Sequence, residues 1–255
     1  MKKRETYLTD IKYNYSLKEL KRKINFCKHK IYFKQIDSFQ KFDIWLVDGN
    51  YIRRNICGDF VNFGQYYFFK FIPKNELWID KKTKNREVNF YIDHLLVENK
   101  LMSLGMSYKK ALKKAEMVEK RERNRCVVTK RLKKINKKEL IEKVHKDLMQ
   151  TYTKKVKVWV VKGKLVRDFF DINFAGGTHD KVDFFVPKDE VWVSDDISSR
   201  ERKFILFHEI YERGLMAKGK DYFSAHKSAT KLEDYYRHNP KGIIKALKKE
   251  IEKQD

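Results

Sequence analysis

The chain has 255 residues, room for one large domain or two small ones. An apolar fraction of 42% with 14% aromatic residues excludes a chain too polar to pack a core, and no run of about 18 apolar residues exists to predict a membrane span. The net charge of +24, from 59 Lys and Arg against 35 Asp and Glu, reads either as attraction to an anionic partner, nucleic acid or a membrane surface, or as a lysine-biased composition. The start, Met-Lys-Lys-Arg followed by Thr, Tyr and Asp, has no apolar h-region, so no secretory leader is expected. Cys27, Cys57 and Cys126 are odd in number and lack a C-x-x-C pair, which fits a reducing, cytoplasmic setting and argues against a cysteine zinc finger.

A shift of 114 positions aligns residues 44–123 with 158–237 without a gap. Trp45, Gly49, Pro73, Trp78, His94, Glu98, Gly105, Ala111 and Glu119 meet Trp159, Gly163, Pro187, Trp192, His208, Glu212, Gly219, Ala225 and Glu233. An ungapped series of this kind marks a tandem duplication. The expected fold is α+β, in two repeats covering residues 1–127 and 128–255. Each is read as a helix, a small and mostly antiparallel sheet, and a two-helix hairpin.

In chain order, a basic amphipathic helix opens each copy, over 17–30 and 138–149. A strand follows at 44–47 or 156–161, rich in β-branched and aromatic residues. Gly49 and Gly163 read as turns into a second strand at 51–56 or 165–170. A third extended run at 67–72 or 182–186 stops at Pro73 or Pro187, and a short strand at 77–79 or 191–193 precedes the long helix. The connector 120–138 is basic, lacks Pro and Gly, and reads as helical; it is the expected nucleic-acid-facing surface. A short amphipathic helix over 241–253 closes the chain.

The chemistry concentrates in Phe204-Ile-Leu-Phe-His-Glu-Ile-Tyr-Glu-Arg-Gly-Leu-Met216. On a helix His208 and Glu212 are four apart and share a face. Ionisable groups among Phe, Ile and Leu are costly to bury unless paired, and imidazole with carboxylate is a zinc ligand set. HE-x-x-E differs from HE-x-x-H in its last letter only. Ser198 is the expected N-cap, with Glu201 completing a capping box; Gly219 ends the helix. Asp221 then caps a second helix over 222–236, on which Tyr222, Ala225, His226, Ala229 and Glu233 form one stripe.

Each copy serves as a control for the other. His94 and Glu98 are kept in the first, but Leu95 stands opposite Glu209 and Leu112 opposite His226. Leu112 marks the His226 position as inward-facing. Glu212 and His226 each lie roughly 7–10 Å along their helices from the Gly219 turn, with His208 one turn further. Two His and one Glu with an open fourth position form a catalytic zinc set, with Glu209, directed elsewhere, as general base. The Ala175-Gly-Gly-Thr-His-Asp180 segment puts His179 and Asp180 on a Gly-Gly loop, either lining the cleft to hold substrate or forming an ordinary hairpin turn. Tyr222, Glu233 and the four tryptophans have counterparts in register and read as structural.

The order of helix, strands, edge strand, HE-x-x-E helix and ligand-bearing second helix resembles a minimal zincin metallopeptidase core. The resemblance covers residues 138–237 well and 17–123 in degenerate form. It implies zinc, with His208, Glu212 and His226 as ligands, Glu209 as base and a peptide or protein as substrate. The family pattern has His where Glu212 stands and Glu where His226 stands, so the inventory is kept with the positions exchanged. The alternative from a different class is a non-catalytic, basic nucleic-acid-binding protein whose His/Glu pairs are structural. Glu209 and His226, present in one half only, separate the two.

Overall fold

A computed structural model describes residues 16–254; the amino-terminal segment expected to lack a leader lies outside them. The chain is α+β and divides into two compact units at residues 129 and 130. That boundary lies two residues beyond the expected one. Among the described residues there are eleven α-helices and two four-stranded mixed sheets, and no helix is long and apolar enough to cross a membrane.

In the first unit, α1 (Leu17–Phe26) and α2 (Lys28–Ile31) lead into β1 (Tyr32–Phe39) and β2 (Phe42–Val47). Then come α3 (Gly49–Asn55), β3 (Phe63–Gln65), β4 (Glu76–Asp80), α4 (Asn85–Ser103) and α5 (Tyr108–Arg125). The sheet order is β1-β2-β4-β3, with β2 and β4 parallel and the two outer pairings antiparallel. Alternation along the central strands builds a core on each face. Val47 and Trp78 pack with α1 to α3, whereas Ile44, Leu77 and Ile79 pack against Tyr91 and Leu95 of α4.

α6 (Val127–Leu132) carries the unit boundary. The second unit continues with α7 (Lys137–Val144), β5 (His145–Leu148), β6 (Lys157–Val161), α8 (Gly163–Phe169), β7 (Gly177–His179) and β8 (Glu190–Ser194). It ends with α9 (Ser199–Ala217), α10 (Tyr222–His238) and α11 (Ile243–Glu252). Its strand order, β5-β6-β8-β7, repeats the pattern of the first sheet. Val158, Val191 and Val193 pack against Phe204, Phe207 and Ile210 of α9, and Ile243, Leu247 and Ile251 of α11 complete that core. Trp192 faces the opposite core with Val144 and Phe174.

Several expected elements differ. The second strand of each copy is a helix, α3 or α8. Asp48 caps α3 by accepting from the Tyr51 N–H at 3.0 Å, and Ile52 and Ile56, four apart, both point into the core. Gly49 and Gly163 begin these helices and permit close approach: a Cβ at Gly49 would lie 1.9 Å from Asp80 Oδ2, and one at Gly163 2.3 Å from Ser194 Oγ. The third runs, 67–72 and 182–186, are successive turns, with hydrogen bonds such as Ile72 N–H to Phe69 O, and their aromatic and aliphatic side chains pack into the core. The opening helices are shorter than expected, because β1 and β5 follow at once. β1 is an edge strand that is mostly solvent-exposed, so it lacks the apolar alternation that would mark it. The connector breaks into the end of α5, α6 and the start of α7.

Candidate metal centre

Two helices and one edge strand of the second unit bring the site together. α9 ends at a left-handed Gly219 (φ +87°), with the Lys220 N–H bonded to Leu215 O, a hydrogen-bonded reversal that suits glycine. Asp221 then accepts from the Ser224 N–H at 3.1 Å and starts α10. The buried Ala225 and Ala229 let α10 run close along α9.

His208 Nε2, Glu212 Oε2 and His226 Nδ1 converge. His226 Nδ1 is 2.6 Å from Glu212 Oε2 and 3.1 Å from His208 Nε2, and His208 Nε2 is 3.3 Å from Glu212 Oε2. Tetrahedral ligands about 2 Å from zinc lie roughly 3.3 Å from each other; His208 Nε2 stands near that distance from both partners, whereas His226 Nδ1 and Glu212 Oε2 are at hydrogen-bond distance. On its other side, His208 Nδ1 donates to Glu233 Oε2 at 2.8 Å. A carboxylate only accepts, so this bond places a proton on Nδ1 and turns Nε2 toward Glu212 and His226. Such carboxylate–histidine pairs orient metal-binding imidazoles. Glu233 is steadied by Arg237, which also bonds Glu201. The expected capping box is therefore not made: Ser198 is the N-cap without a side-chain cap bond, and Glu201 turns to Arg237. A Ser/Glu capping box occurs instead at Ser16 and Glu19.

A positive charge satisfies the three atoms: either protons on the imidazoles, donated to the Glu212 carboxylate and between the rings, or a cation held between them with that carboxylate as third donor. The electrostatics describe the protonated form. Burial works against a charged His208, yet Glu212 and Glu233 outweigh it and raise its pKa to about 10. Burial likewise opposes a charged Glu212, but hydrogen bonds from His179, His208 and His226 hold its carboxyl well below the usual range. His226 is the most accessible of the three, its side chain 30% exposed, and it stacks on the buried Tyr222 ring.

The Gly-Gly segment is the edge strand β7, not a flexible loop. His179 is fully buried. Its Nδ1 accepts the Lys181 N–H at 3.2 Å, which leaves the proton on Nε2, 3.1 Å from Glu212 Oε1. His179 thus donates to the carboxylate oxygen turned away from His208 and His226. Asp180 faces Arg213, at 2.7 Å, and accepts the Asp189 N–H. Glu209 is not directed away from the centre: one of its oxygens groups with His179 and Glu212 within 4.8 Å. Gly177 leaves it room, since a Cβ there would sit 2.8 Å from Glu209 Cγ. Because the lone pair of His179 is already committed to Lys181, this second grouping is a donor to Glu212 plus a carboxylate, not a second ligand set.

The same positions in the first unit hold a different arrangement. His94 Nδ1 donates to Glu119 at 2.7 Å, and Glu119 and Glu87 both bind Arg123. His94 Nε2 lies 3.5 Å from Glu98 and has no hydrogen-bond partner. Gln65, at the position of His179, donates to Glu98 Oε1 at 2.7 Å. Leu112 and Leu95 stand where the second unit has His226 and Glu209. Trp78 and Trp192 are buried core residues in the two units. The chain matches no family model, curated protein or solved structure.

Proposed function

We propose that the second unit is a zinc-dependent hydrolase of the metallopeptidase type, and that the chain is a pair of zincin-like repeats whose first member is catalytically degenerate. The observation that carries this reading is the convergence of His208 Nε2, Glu212 Oε2 and His226 Nδ1, with a carboxylate already fixing the His208 tautomer. Two imidazoles and one carboxylate suit zinc. Bound there, zinc would supply Lewis acidity and lower the pKa of a coordinated water.

The protein's own residues do the rest. Glu233 holds His208 as a donor through Nε2. His179 holds Glu212 Oε1 so that Oε2 faces the two imidazoles; its role is positioning, not substrate binding. Glu209 stands beside the ligands, on the side bordered by Gly177, where its carboxylate can take a proton from the attacking water and return it to the leaving group. Asp180 contributes by locking the chain after β7 to Arg213.

Glu209→Gln is expected to leave zinc content at about one per chain while lowering hydrolysis of a mixed fluorogenic peptide library by roughly 10²–10⁴-fold. A Glu209→Gln protein as active as wild type would refute Glu209 as base; a wild-type protein free of zinc at neutral pH would refute the reading as a whole.

A further inference from the structure

We infer that the outer face of α5 in the first unit is a binding surface for the phosphate backbone of duplex nucleic acid, independent of the metal centre. Seven cations, Lys109, Lys110, Lys113, Lys114, Lys120, Arg121 and Arg125, are exposed on this helix. At 100° per residue they fall within an arc of roughly 160°, opposite the buried Ala111, Ala115 and Glu119. The arc centres on Met117, itself 66% exposed. The face is about 24 Å long at 1.5 Å per residue, a broad cationic strip that can neutralise duplex phosphates, with Arg121 and Arg125 at its end also paired to Glu122.

The second unit shows that this is not composition alone. α10 occupies the corresponding place, and lysine bias in the chain would load both helices alike. On α10 the seven positions are Phe223, Ser224, Lys227, Ser228, Asp234, Tyr235 and Asn239, and Lys231 stands at the position of Met117. Two lysines and one aspartate remain where α5 has seven cations. The cationic face is thus concentrated on the helix whose inner side lacks the metal-binding histidine. The surface lies on α5 and overlaps the start of the 120–138 connector, which contains Lys120, Arg121 and Arg125. A phosphate backbone is the occupant because the face sets seven cations around one exposed apolar residue, Met117, far less apolar area than a membrane-inserting helix would need.

The test compares two variants of the full chain with the same loss of charge. Lys113→Gln with Lys120→Gln removes two cations from α5, and Lys227→Gln with Lys231→Gln removes two from α10. Binding to a 25-base-pair DNA duplex is measured by fluorescence anisotropy across a salt series. The wild type should bind with a steep negative dependence of log K on log salt. The α5 pair should weaken binding at least tenfold and flatten the slope by roughly 2, about 0.9 for each phosphate no longer neutralised. The α10 pair should change affinity less than twofold, and arginines at positions 113 and 120 should preserve binding. Equal losses from both pairs would overturn the proposal. So would failure to bind the duplex at near-physiological salt, or tighter binding to vesicles of anionic phospholipid than to the duplex.

Discussion

His94 and His208 occupy equivalent positions on α4 and α9, and each gives its Nδ1 proton to a carboxylate on the next helix. Each carboxylate is in turn held by an arginine, which also donates to a second glutamate. What differs is the other nitrogen. His208 Nε2 meets a carboxylate and a second imidazole; His94 Nε2 meets a distant carboxylate across from leucine. The His–Glu–Arg–Glu chain is therefore a packing device common to both units, and a HE-x-x-E-like helix is insufficient to make a metal site. Three changes distinguish the second unit: Leu to His at 226, Leu to Glu at 209 and Gln to His at 179. Under the proposed function the first would supply a ligand and the second a base, while the third keeps a side-chain donor on Glu212.

Truncating the shared carboxylate in each unit sharpens this division most strongly. Glu119→Ala leaves a buried Arg123 and His94 short of a partner and should destabilise the first unit by about 3–5 kcal/mol, with zinc content unchanged. Glu233→Ala should in addition weaken zinc binding by 10–100-fold. Denaturant unfolding with zinc titration checks both, and equal effects on metal would erase the distinction.

Next in size is the pH response of the first unit. Burial opposes charge on His94, but Glu119 and Glu98 raise its pKa from 6.5 to about 9. A folded pKa above the unfolded one gives stability that is complete below about pH 6.5 and lost as pH rises through 9. Stability of the first unit should decline over that window, as followed by hydrogen exchange of α4 amides, and His94→Gln should flatten the decline. A flat wild-type profile would contradict the charged pair.

The smallest expected effect concerns His179. Its counterpart Gln65 makes the same kind of bond to Glu98, so His179→Gln should alter zinc affinity less than about threefold, whereas His179→Leu should weaken it 10–100-fold. A loss with glutamine equal to that with leucine would make His179 a ligand instead of a positioning residue.

Much of this site is legible in the sequence because a repeat fixes register. The gapless alignment puts His226 opposite Leu112, and an inward leucine implies an inward histidine. The helix ends are also readable, since Gly219 and Asp221 act through local backbone geometry. Glu201 reads as a capping-box partner because that motif is local, whereas its actual partner, Arg237, is 36 residues away. α3 and α8 read as strands because their β-branched and aromatic residues suit either state; packing against the ends of β4 and β8 decides the matter. β1 and β5 carry too little apolar alternation to announce themselves. The role of His179 does leave a signal in the sequence. Gln65 and His179 are both side-chain donors at aligned positions, facing aligned glutamates.

The most direct measurement is zinc per chain, by mass spectrometry of the purified full-length protein at neutral pH, for wild type and for His226→Leu, which gives the second unit the leucine of the first. The account predicts about one zinc for wild type and close to none for the variant, with both folded by circular dichroism. Zinc retained undiminished in His226→Leu, or no zinc in either protein, would contradict it.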